Sequence, residues 1–184
     1  MKALILTGKL ATDIEVHYPF YRLQEDGWEV DVAVRGGKEV LGEKGIKITP
    51  TLDIPEIVPA LYDLLILPGG AKCMEYMRQD DEIIKTIAWF FSYGKVVGSI
   101  CHGAQLLISA GAVRGHRIAG YYSIKDDINN AGGIFTDAPF VTDGRIVTSP
   151  HYCYLGLWMK EVLRVVGVSV RTPRGVGEGD VGVQ

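Results

Sequence analysis

The chain has 184 residues, 47% of them hydrophobic, and its 19 lysines and arginines oppose 22 aspartates and glutamates, for a net charge of −3. This length supports one well-buried core and leaves no room for a second domain. Because no basic cluster accompanies the near-balanced charge, we expect no nucleic-acid partner. The apolar run at the amino end is too short for a signal peptide, and no run approaches the ~18 residues of a membrane helix, so we expect no membrane partner.

The three cysteines lack the spacing of a disulfide framework. They fit a reducing compartment, and we expect a cytoplasmic protein. No paired cysteine and histidine spacing is present, so we expect no metal, and we expect no cofactor. Cys73 and Cys153 stand in no special setting and are interpreted as packing or incidental residues.

Short apolar runs alternate with amphipathic stretches, which is typical of parallel strands joined by crossover helices. The alternation predicts a doubly wound α/β fold. The predicted strands span residues 3–6, 29–34, 64–67 and 96–100. The predicted helices span residues 13–25, 83–93, 104–110, 124–131 and 155–166. We expect one domain over residues 1–172, followed by a flexible or docking tail at 173–184. The tail is rich in glycine and valine and shows neither the helical nor the strand periodicity of apolar residues.

Cys101 stands where a predicted strand stops and a helical pattern begins. The string Ser99-Ile-Cys-His-Gly103 has small residues two positions before and after the cysteine, which is the pattern of a nucleophile elbow. Such a turn places the sulfur at the start of the following helix, where free N–H groups favour a thiolate. The alternative is a buried cysteine that acts only as a small hydrophobe.

Three other polar features follow the cysteine or a predicted strand end. The N–H groups of Gly70 and His102 could hold an oxyanion together, although a Pro-Gly-Gly string is also an ordinary tight turn. The His102 side chain could accept the proton of Cys101, or could be a half-exposed residue of the first helical turn. His151 lies near a predicted strand end, in a turn-rich string.

Glu15 falls in the first strand-end loop or the first helical turn, where acids commonly pair with the helix dipole. In open α/β sheets, however, ligands bind at the carboxyl ends of the strands, close to such loops. If Glu15 points at Cys101, the thiolate and the carboxylate repel each other. The pair must then share one proton, and the pKa of Glu15 should rise.

Four motifs in one order resemble the PfpI-type intracellular proteases, within the class I glutamine amidotransferase-like superfamily. The resemblance runs from Met1 to about Val166. The motifs are Asp13-Ile-Glu-Val-His-Tyr-Pro19, Leu67-Pro-Gly-Gly70, Ser99-Ile-Cys-His-Gly-Ala-Gln-Leu-Leu-Ile-Ser-Ala-Gly111 and Ile124-Lys-Asp-Asp127. The resemblance implies a flavodoxin-like three-layer sandwich with a mainly parallel central sheet.

The resemblance also implies a role for individual residues and an oligomer. In proteases of this family a glutamate from an adjacent subunit completes the site, so a homo-oligomer, either a dimer or a hexamer, is implied, with the site near an interface. The matching residues are Cys101 as nucleophile, His102 as its partner, Glu15 as the acid beside the sulfur, Gly70 at the oxyanion hole, Glu75 as the intersubunit glutamate and Tyr121 as a site-lining residue.

The chain departs from the family pattern at three places, one of which is an extra residue around Ala71-Lys-Cys-Met-Glu75 relative to the protease members. Several relatives carry a second acid in the first loop, where this chain has Thr12. After the last strand, relatives typically show Ser-Arg-x-Pro, whereas this chain has Ser149-Pro-His-Tyr-Cys153. That loop borders the site, so His151 is assigned to the substrate pocket and substrate preference could have moved.

Three functions are consistent with these residues. The first is a cysteine hydrolase of peptide or amide bonds, in which Cys101 attacks the carbonyl and His102 moves the proton. The second resembles glyoxalase III or a protein deglycase, with the same thiolate acting on methylglyoxal or its adducts. The third is a non-catalytic redox sensor or chaperone-like stress protein, in which Cys101 is oxidised without turnover. The expected partner is therefore a small-molecule carbonyl or a peptide substrate.

Overall fold

A six-stranded sheet forms the middle layer of the computed structural model, which describes the backbone of residues 1–171 and the side chains of residues 1–167. The strands are β1 (Lys2–Leu6), β2 (Glu29–Ala33), β3 (Val40–Leu41), β4 (Lys47–Ile48), β5 (Leu64–Leu67), β6 (Val96–Ile100), β7 (Arg117–Ile118), β8 (Ile134–Phe135), β9 (Val141–Asp143) and β10 (Ile146–Ser149). The order in the large sheet is β2-β1-β5-β6-β10-β9, and only β9 is antiparallel to its neighbour. Strands β3 and β4 form a hairpin, and β7 pairs with β8.

Helices cover both faces of the sheet. They are α1 (Asp13–Glu25), α2 (Ala71–Met77), α3 (Asp81–Ser92), α4 (Ala104–Ser109), α5 (Lys125–Asn130) and α6 (Leu155–Arg171). The crossover through α1 leads from β1 toward one edge, and the crossover through α3 leads from β5 toward the other. Because such connections are right-handed, the two helices lie on opposite faces. The expected flavodoxin-like sandwich with a mainly parallel sheet is confirmed.

The four predicted strands are present. Strands β1, β5 and β6 are largely apolar on both faces, as a covered parallel sheet requires, whereas the edge strand β2 carries Glu29 and Asp31 on one face. The predicted α1 has the observed bounds. Helix α3 starts two residues before its predicted start, because the Asp80 carboxylate accepts hydrogen bonds from the N–H groups of Glu82 and Ile83. Helix α2 and strands β9 and β10 are absent from the predicted set, since each is too short to show a period.

The predicted tail at 173–184 lies outside the described residues. Within the described part of the chain, no helix is long and apolar enough to cross a membrane.

The topology changes direction between β1 and β5, because the chain leaves β1 toward β2 and returns on the other side as β5. Such a switch point opens a crevice at the carboxyl ends of the two strands. The loops at 7–12 and 68–70 and the turn after β6 meet there. The first loop is held against the second because the N–H of Thr12 donates to the carbonyl of Gly69 at 3.1 Å.

A buried carboxylate fixes the β3–β4 hairpin to the same loop region. Asp13 is only 4% exposed and accepts hydrogen bonds from the N–H groups of Lys44 at 2.8 Å and Ile46 at 2.9 Å. Gly42 is needed beside it, since a Cβ there would lie within 2.9 Å of all three carboxyl atoms of Asp13. The N–H of Leu10 donates to the carbonyl of Leu41 at 2.8 Å and completes the attachment.

Asp13→Ala should therefore destabilise the protein by about 3 kcal/mol, because two buried N–H groups lose a charged acceptor. Urea unfolding measures the change. Asp126→Ala is the control, because that exposed carboxylate should contribute less than about 1 kcal/mol as a dipole partner of α5. Equal effects of the two substitutions would contradict this role of Asp13.

Candidate active site

The turn at Cys101 has the sharp geometry that its sequence pattern indicates. Cys101 has a φ of 58°, and it shares a positive φ with only one other non-glycine residue among those described, Leu10. Non-glycine residues avoid this region, so the surroundings must hold the cysteine there. Gly103 is required because a Cβ there would lie 3.0 Å from Ser99 Oγ and closer still to the carbonyl oxygen of Leu67.

Glu15 lies beside the nucleophile, in the first turn of α1, and is completely buried. Its Oε2 accepts a hydrogen bond of 2.7 Å from the N–H of Gly69. A Cβ on Gly69 would lie 2.8 Å from both Glu15 Oε2 and Cys101 Cβ, so no side chain fits at this position. The other oxygen, Oε1, is buried and has no hydrogen-bond partner among the described residues. An acidic proton on Oε1 would satisfy it by donation toward the sulfur.

Because Glu15 and Cys101 are buried side by side, they do not both carry a negative charge at neutral pH. Burial raises the pKa of Glu15 to about 7, although the Gly69 N–H and the Cys101 side chain oppose the rise. Burial also raises the pKa of the Cys101 thiol, and the Glu15 charge raises it further. The thiol therefore ionises more easily while Glu15 is protonated. We interpret the two groups as one titrating pair that keeps a single proton near neutral pH.

His102 is placed to exchange a proton with the sulfur. Its Nδ1 lies 3.4 Å from Cys101 Sγ, and its Nε2 lies 3.3 Å from the Ser123 hydroxyl oxygen. Burial lowers the pKa of His102, so the neutral ring predominates at pH 7 and can act as a base. Ser123 was not predicted, because nothing in its local sequence marks it as a partner of His102.

The backbone around the sulfur offers two donors for an oxyanion. The backbone N–H groups of His102 and Gly70 lie near the Cys101 side chain, and each opposes the rise of the thiol pKa. Gly70 has a φ of 110°, and a Cβ there would lie 2.6 Å from the carbonyl oxygen of Leu10. The position is therefore restricted to glycine. An oxyanion on a carbon attached to sulfur would lie close to both donors.

Tyr121 lies beside the nucleophile and His151 lies next to Tyr121, and their roles in substrate binding stay predictions. The N–H of Tyr121 donates to the carbonyl of Cys101 at 3.2 Å, and its ring centroid is 4.7 Å from that of His102. The His151 ring lies 6.1 Å from Tyr121 in a stacked orientation. Tyr152, whose ring is 4.0 Å from His151, continues this row. One wall of the site is thus aromatic.

Glu75 does not join this cluster within one chain. It lies on the exposed surface of α2, where its carboxylate pairs with Lys72 Nζ at 2.6 Å. No hydrogen bond or ion pair connects it to Cys101 or His102 in the described part of the chain. Its role in a neighbouring subunit stays a prediction. Among the described side chains, no group of three histidines, cysteines, aspartates or glutamates could hold a metal ion.

Glu15 should make stability depend on pH in one direction. Its pKa is raised from 4.5 to about 7 in the folded state, so the folded state binds the proton more tightly than the unfolded chain. Stability is therefore highest below the unfolded value and falls as pH rises toward the folded value, by about 3 kcal/mol at about 1.4 kcal/mol per pKa unit. Glu15→Gln should remove this loss, so its stability relative to the parent should increase between pH 4 and 8.

Urea unfolding at several pH values in that window measures the difference between the two proteins. Glu25→Gln serves as the control, because Glu25 is 71% exposed. Parallel stability curves for the parent and Glu15→Gln would contradict the raised pKa.

Comparison with known proteins identifies relatives along most of the chain. A family model described as DJ-1/PfpI family matches residues 1–165. A Pyrococcus horikoshii protein named a deglycase is 39% identical, over 90% of this chain and 99% of its own length. A Bacillus subtilis protein, provisionally named cysteine protease YraA, is 35% identical over 80% of this chain and 88% of its own.

A solved structure supports the same fold. It is a two-domain protein from Anabaena variabilis with DJ-1/ThiJ/PfpI-like and ferritin-like domains. The similarity covers 91% of this chain and 50% of that one, with 28% identity and a TM-score of 0.87.

Proposed function

The chain belongs to the DJ-1/PfpI family, as its motifs indicated, and we propose that it is a cysteine-dependent hydrolase that removes methylglyoxal-type adducts from amines and thiols. The observation that carries this proposal is the Glu15 carboxyl, which is buried beside Cys101 with a pKa of about 7. The deglycase name of the Pyrococcus horikoshii relative supports the same reading. The peptide hydrolase that the sequence ranked first becomes the second candidate.

The two reactions differ in whether they need Glu15 to transfer a proton. Peptide hydrolysis needs a nucleophile, a proton shuttle and an oxyanion hole, which Cys101, His102 and Gly70 can supply. Conversion of an aldehyde adduct into a hydroxy acid also needs a group that removes a proton from one carbon and returns it to the next. A carboxyl whose pKa lies near the working pH is suited to both halves of that transfer.

The reaction begins with the thiolate of Cys101 and protonated Glu15. Sulfur bonds to the carbinol carbon of the adduct as the bond from that carbon to the nitrogen or sulfur of the adduct breaks, and the amine or thiol leaves with the proton of Glu15. The product on the enzyme is a hemithioacetal, and Glu15 is now a carboxylate. Its negative charge replaces that of the thiolate, so the total charge of the site is unchanged.

The carboxylate of Glu15 then takes the proton from the carbon attached to sulfur. The resulting enediolate is held by the N–H groups of Gly70 and His102. Glu15 returns the proton to the neighbouring carbon while the hydroxyl proton passes between the two oxygens, which gives a thioester of the same composition. His102 then activates water, and hydrolysis releases the hydroxy acid and restores the shared proton. The net change is adduct plus water to amine or thiol plus hydroxy acid.

Peptide or amide hydrolysis is supported by one contact, the 3.4 Å approach of His102 Nδ1 to the sulfur. That pair can form and hydrolyse an acyl-enzyme without help from Glu15. The provisional protease name of the Bacillus subtilis relative also fits this second candidate.

The test compares the methylglyoxal adduct of N-acetylcysteine with a fluorogenic peptide amide, and measures hydroxy acid or fluorophore release. Cys101→Ala should abolish adduct turnover, whereas Cys153→Ala, which alters an exposed cysteine, should not change it. Glu15→Gln should lower kcat for the adduct at least about 100-fold, because it removes the acid–base group. Peptide turnover with no adduct turnover would overturn the proposal in favour of the second candidate. Stoichiometric peroxide oxidation of Cys101 with neither turnover would favour a redox role.

Glu75 offers a separate test of a site shared between subunits. If its carboxylate reaches the neighbouring site, Glu75→Gln should lower turnover without altering the thermal stability. Lys72→Gln is the matched control, because it breaks the same surface ion pair and keeps the carboxylate. Turnover that is unchanged in Glu75→Gln, or lowered equally by both substitutions, would remove Glu75 from the mechanism.

A further inference from the structure

A second cavity, of about 260 Å³, lies at the carboxyl ends of β1 and β2 and shares no lining residue with the Cys101 site. Its outer wall comes from the end of α2 and the start of α3. We propose that this cavity binds a small aromatic carboxylate. The argument rests on its volume, its walls, one buried hydroxyl and one cation.

The volume and walls suit an aromatic ring. An apolar cavity of about 150 Å³ is enough to bind benzene, so about 260 Å³ leaves room for a ring with one substituent. The apolar lining comes from both strand ends and the covering helices. It consists of Val34, Val40, Tyr76, Met77 and Ile83. The tyrosine ring and the methionine sulfur both make favourable contacts with an aromatic ligand.

Thr7 supplies a hydrogen-bonding group in the inner wall of the cavity. It is only 1% exposed, and its Oγ1 has no hydrogen-bond partner in the described structure. The Thr7 N–H is already used, since it donates to the carbonyl of Ala33 at 3.1 Å. A buried hydroxyl without a partner is unfavourable. The oxygen itself is closed off from solvent, so a ligand oxygen would become its partner once the Thr7 side chain rotates toward the cavity.

One lysine at the rim is available to an anionic ligand. Arg35 is already matched, because its guanidinium pairs with Asp80 at 2.6 Å and with Glu82 at 2.7 Å. Lys9 has no carboxylate within 4.0 Å among the described residues. Its Nζ instead lies 4.0 Å from the centroid of the Tyr76 ring, at the edge of the cavity. A ligand carboxylate would therefore find one available cation here.

The same loop connects this cavity to the candidate active site. Residues 7–9 line the cavity, and the next three residues support the glycines beside Cys101. The N–H of Thr12 donates to the carbonyl of Gly69, and the carbonyl of Leu10 lies against Gly70. A ligand that contacts Thr7 and Lys9 would thus contact the loop that positions the oxyanion donors. Its binding should therefore change the reactivity of Cys101.

Benzoate is the probe, titrated by calorimetry into the full chain carrying Cys101→Ala, so that binding at the nucleophile makes no contribution. We expect one site, with affinity at least tenfold weaker in Lys9→Met and in Thr7→Val. Lys38→Met, which removes an exposed lysine outside the cavity, should leave the affinity unchanged. Thr7→Val should also keep or raise the melting temperature, because it removes an unpartnered hydroxyl; this separates lost binding from lost folding.

Three results would overturn the proposal. They are no benzoate binding, binding that survives both Lys9→Met and Thr7→Val, and equal binding of benzylamine, which carries the opposite charge. With Cys101 intact, saturating benzoate should change the rate of Cys101 alkylation at least threefold. An unchanged rate despite saturation would overturn the connection through the loop.

Discussion

Two buried acids that share one proton are the constraint around which this site is built. Glu15 and Cys101 meet across a glycine that can carry no side chain, and neither can ionise without raising the pKa of the other. One negative charge on the pair is tolerated because N–H groups of Gly69, Gly70 and His102 face it. The same charge can reside on sulfur, as a nucleophile, or on the carboxylate, as a base.

The fold contributes the rigidity that such a pair requires. Cys101 keeps an unfavourable φ because β6 is fully buried before it and α4 begins soon after it. Glu15 is held by the first turn of α1, whose neighbour Asp13 binds the β3–β4 hairpin. The acid and the nucleophile therefore come from separate strand ends that the parallel sheet brings to one edge.

The sequence was most informative where one local rule decides the structure. Continuous apolar runs identified the buried strands, and small residues around Cys101 identified the elbow. Repulsion between like charges predicted a raised pKa for Glu15 once its proximity was assumed; the pKa is raised, but burial is the main cause and the Cys101 side chain opposes the rise. Proximity itself was suggested by strand-end topology and by the family resemblance, because 86 positions of chain separate the two residues, from 15 to 101.

Other features depend on tertiary contacts that no local pattern records. Ser123 meets His102 only because the turn after β7 returns to the elbow. Gly69 looks like part of an ordinary turn until the carboxyl on one side and the cysteine on the other are located. The cavity beside Thr7 is assembled from strand ends and helices that are distant in sequence. Short elements such as α2 carry too few residues for a periodic signal.

The central claim is the shared proton, and the pH dependence of Cys101 alkylation tests it most directly. Peptide mass spectrometry can follow Cys101 beside the other two cysteines in one sample. Burial raises the pKa of Cys73 to about 12, so Cys73 should stay unreactive, and Cys153 serves as an exposed thiol for comparison. The account predicts an apparent midpoint near 7 for Cys101 alkylation, because the Glu15–Cys101 pair loses its first proton there and the charge can then reside on sulfur, although the pKa of the thiol itself is raised while Glu15 is charged. A midpoint at or above the reference thiol value of about 8.5 would contradict it.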